Sequence, residues 1–298
     1  HGHGHEHGHE HRAALVDVAI IGGGPVGLLL ACRLHQLGVG AVVLERQQEP
    51  STHSRAIGIH PPSLARLQQL GLVEPFLERG VRVPGGMAVA GTRELGRLSF
   101  DELSGPFRFA LSLPQHQTEL LLERALRARD ATALRRGVQV QTLIRHADHI
   151  ELRGRTARGA PTLTRARVLV GCDGKRSLVR GWAGLSFEGA PYDDAFVMGD
   201  FDDNTPFAED ARLFLTERGL VESFPLPGGR RRWVVATEQP EDPPDLERFC
   251  RRVERRTGHD LRGQPCSMLS TFRIQHYIAR SFVSERVALA GDAAHVMS

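Results

Sequence analysis

The chain has 298 residues, enough for one large domain or two modest ones. Hydrophobic residues make up 41% and charged residues 24%, an ordinary globular mixture with material for a core. A net charge of +3 is too small to argue for a nucleic-acid partner.

Histidine occupies positions 1, 3, 5, 7, 9 and 11, alternating mostly with glycine. Such a tract binds Ni²⁺ or Zn²⁺ loosely. Residues 1–12 are read as a disordered tail outside the fold, and no catalytic metal is assigned. The apolar run Val16 to Ile21 predicts a strand, and it breaks at Gly22-Gly23-Gly24-Pro25. That break makes the stretch neither a secretory signal nor a membrane span. Gly22, Gly24 and Gly27 fill a G-x-G-x-x-G pattern. The pattern serves a tight turn, a close backbone approach to a pyrophosphate and a helix packed against its strand. Pro25 stands where a helix begins, next to Val26, and tolerates its missing N–H there. The helix runs through Leu28–Leu34 and ends near Gly38. Its N-terminus points free N–H groups at phosphates. A second strand, Ala41 to Leu44, ends in Glu45, 18 residues after Gly27 and followed by Arg46. An acid at that separation accepts the hydroxyls of an adenosine ribose. These features predict a dinucleotide site, and they do not separate FAD from NAD.

A short helix is expected from Pro62 to Leu70, and a β-rich excursion from Val81 to Phe100. Thr118 to Arg129 reads as an amphipathic helix with Leu121, Leu122, Ala125 and Leu126 at helical spacing. Strands are expected at 138–142, 149–152 and 167–172. From Gly184 to Ile274 short β-like runs alternate with Pro and Gly, at 195–200, 212–216, 221–224 and 231–237. Arginines cluster at 230–232 and from 251 to 256; the second group follows Pro243-Pro244-Asp245 and reads as a solvated helix face. Lys175 is the only lysine. The four cysteines, Cys32, Cys172, Cys250 and Cys266, show no metal spacing, which suits free thiols in a reducing cytoplasm. A last strand is expected at Val287 to Ala290.

Two more apolar strands end in acidic or glycine turns. The middle one continues as Gly171-Cys172-Asp173-Gly174 into Lys175-Arg176-Ser177-Leu178-Val179-Arg180, and the last as Gly291-Asp292-Ala293-Ala294-His295. With the opening glycine pattern, in this order, these segments resemble the three FAD motifs of the single-component (group A) aromatic monooxygenases, the para-hydroxybenzoate hydroxylase-like family. The resemblance implies a Rossmann-like FAD-binding domain of glutathione-reductase type, built from 13–182 and 277–298. An inserted, mostly antiparallel β-sheet substrate domain with one helix would occupy 183–276. It implies that Asp173 and Gly174 lie near the FAD pyrophosphate and are linked to nicotinamide-nucleotide use. Gly291 and Asp292 would meet the ribityl or ribose hydroxyls. Ser54-Arg55 matches the stretch where an arginine approaches the cofactor phosphates, and Gln115 the helix start that contacts the flavin.

The implied activity is NAD(P)H-driven hydroxylation of an aromatic or polyketide-like molecule through a flavin C4a-hydroperoxide. NAD(P)H would be a transient co-substrate, because no second glycine fingerprint follows. Such chemistry needs shape more than a fixed catalytic residue, so none is assigned; Tyr192, Tyr277 and His60 are weighed and set aside. Met198, Phe214, Phe224 and Trp233 suit either a pocket or the core. Members of the family continue past the Gly-Asp segment with a Pro- and Gly-rich turn and a helix, so the chain is expected to be C-terminally truncated at Ser298. Two other readings stay open: an FAD-dependent reductase of the geranylgeranyl-reductase type, and a non-catalytic flavoprotein fragment.

Overall fold

A computed structural model describes residues 13–297; the histidine-rich tail lies outside the described residues. They fall into two compact units. The first takes residues up to Glu49, Arg129–Ser186 and Ala279–Ala294. The second takes Pro50–Ala128, Phe187–Ile278 and the residues from His295. Residues 50–128, grouped by the sequence reading with the nucleotide domain, thus cluster with the β-rich segment.

The first unit is built on a mixed sheet. Across it run Val283–Ser284, Val287–Leu289, Pro161–Gly171, Leu15–Ile21, Ala41–Glu45 and Leu134–Arg136. From Val287–Leu289 to Leu134–Arg136 every pairing is parallel, with Ile20 opposite both Val170 and Val43. Strands covered on both faces need continuous apolar runs. Val18, Ala19, Ile20 and Ile21 are accordingly all buried, as are Ala41 to Leu44. Val138–Arg145 and Ile150–Thr156 form an antiparallel extension on Pro161–Gly171. Leu134–Arg136 was not expected, since three residues are too few for a period to show. The helix Pro25–Gln36 starts with proline in its first turn and buries Gly27, Leu28, Ala31 and Cys32.

The second unit centres on an eight-stranded sheet. Phe187–Asp202, Arg230–Thr237, Val221–Leu226 and Ala211–Phe214 pair antiparallel in that order. Gly85–Ala90 then joins Ala211–Phe214 in parallel and hairpins with Arg93–Ser99. The sheet therefore draws strands from upstream of the expected 183–276. Gly86 permits the join, because a Cβ there would meet the Ala211 Cβ at 3.2 Å. A long strand at Cys266–Ala279 was also not expected. A separate small sheet pairs Gly58–Ile59, Ala110–Ser112 and Val81–Val83.

The helix Leu246–Thr257 covers one part of the large sheet. Asp245 caps its start by accepting from the Arg248 N–H at 2.7 Å, and left-handed Gly258 ends it. Arg255 and Arg256 in the last turn complement the helix dipole. Phe249, Cys250 and Val253 form its buried face, packed with Phe201, Phe214, Trp233 and Val235. Phe214 and Trp233 are thereby core residues, and Met198 is buried as well. No helix among the described residues is long and apolar enough to cross a membrane.

Two of the three clustered arginines lie inside. Arg231 is 0% exposed and Arg232 3%. Arg231 donates to the Asp203 carboxylate at 3.0 Å, to Ser223 at 3.3 Å, and to the carbonyls of Asp210 and Ala208 at 3.1 and 2.7 Å. One guanidinium thus fixes the loop from 203 to 210. Removing one partner of a buried pair strands the other charge, at a cost of about 3–5 kcal/mol. Arg231→Met should lower unfolding stability by about 3 kcal/mol, measured from the urea midpoint and slope. A loss of a few tenths would show that the loop holds itself.

His259 sits against Phe207, Phe214 and Trp233, its ring centroid 4.9 to 6.1 Å from theirs. Burial, then the charges of Arg231 and Arg212, hold its pKa below the ordinary 6.5. The unfolded chain takes up this proton below pH 6.5, while the folded chain resists it. His259 therefore supports the fold fully above that pH, and the support is lost as pH falls through the depressed folded value. Urea midpoints of the wild type and His259→Gln should differ most at neutral pH and converge toward pH 5. A constant gap would rule out the titration.

Candidate functional site

Parallel pairing brings the carboxyl ends of five strands of the first unit to one edge. Backbone bonds tie their turns: Cys172 N–H to Ile21 O at 2.8 Å, Gly22 N–H to Leu44 O at 3.0 Å, and Ala290 N–H to Gly171 O at 2.9 Å. The three sequence motifs, each at the end of such a strand, become neighbours for that reason.

Gly22 has φ +110°, and a Cβ on it would collide with the Cys172 carbonyl. Gly27 lies equally close to the Gly22 carbonyl. Both glycines serve the packing of turn on turn. Gly24 differs: a Cβ there meets nothing within 4 Å, and the residue lines a cavity of about 470 Å³. Gly22, Glu45, Arg46, Cys172, Asp173 and Arg176 line the same cavity. So do Val138 to Gln141 of the antiparallel extension. The helix Pro25–Gln36 begins beside Gly24 with no side-chain cap and no acid in its first turn. Its first N–H groups have no partner within the helix, which suits an anion.

Glu45 supplies the most informative atom. Its Oε2 is buried and accepts no hydrogen bond from the described residues. A buried carboxylate oxygen without a donor is costly, and here it belongs to a residue that lines the cavity. The cavity thus offers an acid that needs hydroxyl donors, a glycine turn without side chains and a helix start without a cap. That set fits the adenosine–pyrophosphate part of a dinucleotide such as FAD.

Asp173 is held from within its own turn. Its Oδ1 accepts from the Ser177 hydroxyl, and its Oδ2 from the Val179 N–H at 3.3 Å. Gly174 is left-handed, with φ +83°. Arg180 joins the middle and last motifs by donating to the Ala293 carbonyl at 3.0 Å and the Lys175 carbonyl at 2.7 Å. Gly291, at φ +63°, lies against Val26; a Cβ there would meet the Val26 methyl at 3.2 Å. Asp292 stands in the short 3₁₀ turn Gly291–Ala293. Burial, with the Asp173 charge adding, pushes the Cys172 thiol up to about 12, so this cavity residue is a neutral thiol. Among the described residues no cysteine forms a disulfide.

Of the residues singled out by sequence, Gly22, Gly24, Glu45, Arg46 and Asp173 line this cavity. Pro25, Val26, Gly27, Gly174, Gly291 and Asp292 belong to the same unit without lining it. Arg55 and Gln115 belong to the second unit. There Arg232, bidentate to Asp200 at 2.7 and 3.0 Å, donates to the carbonyls of Arg55 and Ser54. Gln115 opens the helix Gln115–Arg129, and its N–H donates to the Ala56 carbonyl at 3.0 Å. Tyr192 is exposed, and Tyr277 stacks on Phe187 at 5.2 Å. Sequence reasoning missed Val138 to Gln141, whose only signal is membership of a strand.

The second unit holds a different cavity, of about 620 Å³, whose lining includes Phe224, His60 and Leu111.

The family model described as FAD binding domain matches residues 15–298. A rifampicin monooxygenase of Streptomyces venezuelae is 36% identical over 95% of this chain and 59% of its own length. An uncharacterized aromatic compound monooxygenase of Bacillus subtilis, YhjG, is 32% identical over 94% of this chain and 56% of its own. The chain thus spans less than two thirds of the length of these curated relatives. Among solved structures, the p-nitrophenol 4-monooxygenase PnpA of Pseudomonas putida DLL-E4 superposes with a TM-score of 0.85 at 26% identity, covering 95% of this chain and 74% of that one. The chain belongs to the family described as FAD binding domain, whose model matches it over residues 15–298.

Proposed function

We propose that the first unit is a Rossmann-like, glutathione-reductase-type module that binds the adenosine end of FAD. The observation that carries this reading is the buried, donor-less Glu45 Oε2 in a cavity edged by Gly22 and Gly24. In this reading Glu45 accepts the ribose hydroxyls, with Arg46 beside it. Gly22, Gly24, Pro25, Val26 and Gly27 present backbone to the pyrophosphate. Asp173, Gly174, Gly291 and Asp292 lie toward the rest of the cofactor. The roles of Arg55 with the phosphates and Gln115 with the flavin rest on the family resemblance alone.

The whole protein, in the same proposal, is a cytoplasmic NAD(P)H-dependent monooxygenase of an aromatic or polyketide-like molecule. FAD supplies the electron storage and oxygen activation that no side chain offers. The protein's share is to bind, orient and exclude water. The apolar cavity of the second unit suits the organic substrate, being lined by Phe224, Leu98 and Phe100 with few polar groups. The relatives' printed activities, on rifampicin and p-nitrophenol among others, favour hydroxylation over the reductase alternative.

Two measurements test this. Titration of the protein with FAD, followed by flavin fluorescence, should show Glu45→Ala binding at least about tenfold more weakly, because charge-assisted hydrogen bonds contribute about 1.5–3 kcal/mol each. An unchanged affinity would make Glu45 a structural acid. With the full-length protein, ¹⁸O₂ should place one labelled atom in the product while NAD(P)H is consumed. Substrate reduction without label would select the reductase reading.

A further inference from the structure

The cavity of the second unit has a composition that narrows its occupant. Its walls are Val83, Leu98, Phe100, Leu103, Leu213 and Phe224, and among the described residues no charged side chain lines it. The polar side chains on the lining are those of His60, Ser99 and Ser112. Two are engaged by the fold: the Ser112 hydroxyl donates to the Pro225 carbonyl at 2.6 Å, and the Ser99 oxygen accepts from the Asp101 N–H at 3.1 Å. His60 precedes the helix Pro61–Gln69, and its side chain does not cap that helix. It is the polar group best able to meet a ligand.

Charge and size then argue in the same direction. A carboxylate entering an apolar cavity loses its water and finds no arginine or lysine in return, so anionic aromatics are disfavoured. A volume of about 620 Å³ falls in the range that holds drug-sized molecules. A single ring would leave most of these walls uncovered. Gly85 and Gly86 line the cavity with backbone alone, since a Cβ on either would meet the neighbouring strand at Leu98 or Ala211. Gly58 is the adaptable one: a Cβ there lies 3.7 Å from His60 Nε2, an ordinary contact, and longer side chains would extend into the cavity.

We infer that this cavity selects an uncharged aromatic molecule of several fused rings, with a hydroxyl or carbonyl at His60, over one-ring aromatic acids. Its catalytic meaning rests on the monooxygenase reading above, but the selection is a property of binding and is measured apart from turnover.

The test is equilibrium dialysis of the protein against two probes, 1-hydroxyanthraquinone and 4-hydroxybenzoate. The anthraquinone should bind saturably, with one site, at least tenfold more tightly than the acid. Gly58→Leu should weaken the anthraquinone at least tenfold and leave FAD affinity unchanged. Leu98→Arg is a second variant at a position 74% exposed, where the fold tolerates charge. It should raise 4-hydroxybenzoate affinity at least threefold and lower that for the anthraquinone. Equal or tighter binding of the acid by the wild type, non-saturable anthraquinone uptake, or affinities that neither variant changes would overturn the inference. FAD titration of the same samples separates the two claims. Lost FAD binding defeats the flavoprotein reading, whereas intact FAD binding without probe selectivity defeats this inference alone.

Discussion

Parallel alignment of the strands is the constraint on which the site depends. Each parallel strand must send its chain out at the same edge and recover it at the other, so every turn after a carboxyl end faces the same space. Three sequence motifs separated by more than a hundred residues each meet there because their strands pair in register with one neighbour or the next. The closeness of these turns then dictates residue type. At Gly22 the next turn's carbonyl occupies the place of a side chain, and φ is positive as well. Alanine would meet both obstacles at once. The helix start, the buried acid and the neutral Cys172 thiol all take their positions from this edge.

The second unit handles charge in another way. Arg231 and Arg232 are placed inside it and answered by Asp203, Asp200 and backbone carbonyls, so each guanidinium works as an internal bracket. Five N–H donors in a rigid plane can reach several acceptors in different directions, which a lysine ammonium cannot match. Arg232 brackets the segment that carries Arg55. Cations thus reside in the framework of this unit, while its large cavity is left without them.

The turns at the carboxyl edge of the parallel sheet were legible in sequence because their demands are local. A glycine spacing, a proline in the first turn and an acid at the end of the next strand each answer a need visible within a few residues. The buried arginines were not legible. A run of three arginines looks the same whether water or a carboxylate answers it, and Asp200 and Asp203 lie about thirty residues away. The lining by Val138 to Gln141 was hidden for a similar reason, since nothing in a four-residue alternation says which space it faces. The membership of Gly85–Ala90 in the large sheet was equally invisible, because its partner strand begins at Ala211. Asp173 shows an intermediate case: its motif pointed to the cofactor, and the structure adds its bonds to Ser177 and Val179.

The first unit is assembled from three stretches of chain, the last of which contributes Val287–Leu289 beside Pro161–Gly171. During synthesis its central strands wait for a partner made more than a hundred residues later, and until then one edge of the sheet has open hydrogen-bonding groups. Pairings of such long sequence separation close slowly and leave partly built sheets open to self-association. The antiparallel strands from Phe187 to Thr237, by contrast, find their neighbours as soon as they emerge. The β-rich middle of the chain can therefore consolidate before the first unit's parallel edge, whose opening strand is synthesised at the start, acquires Val287–Leu289.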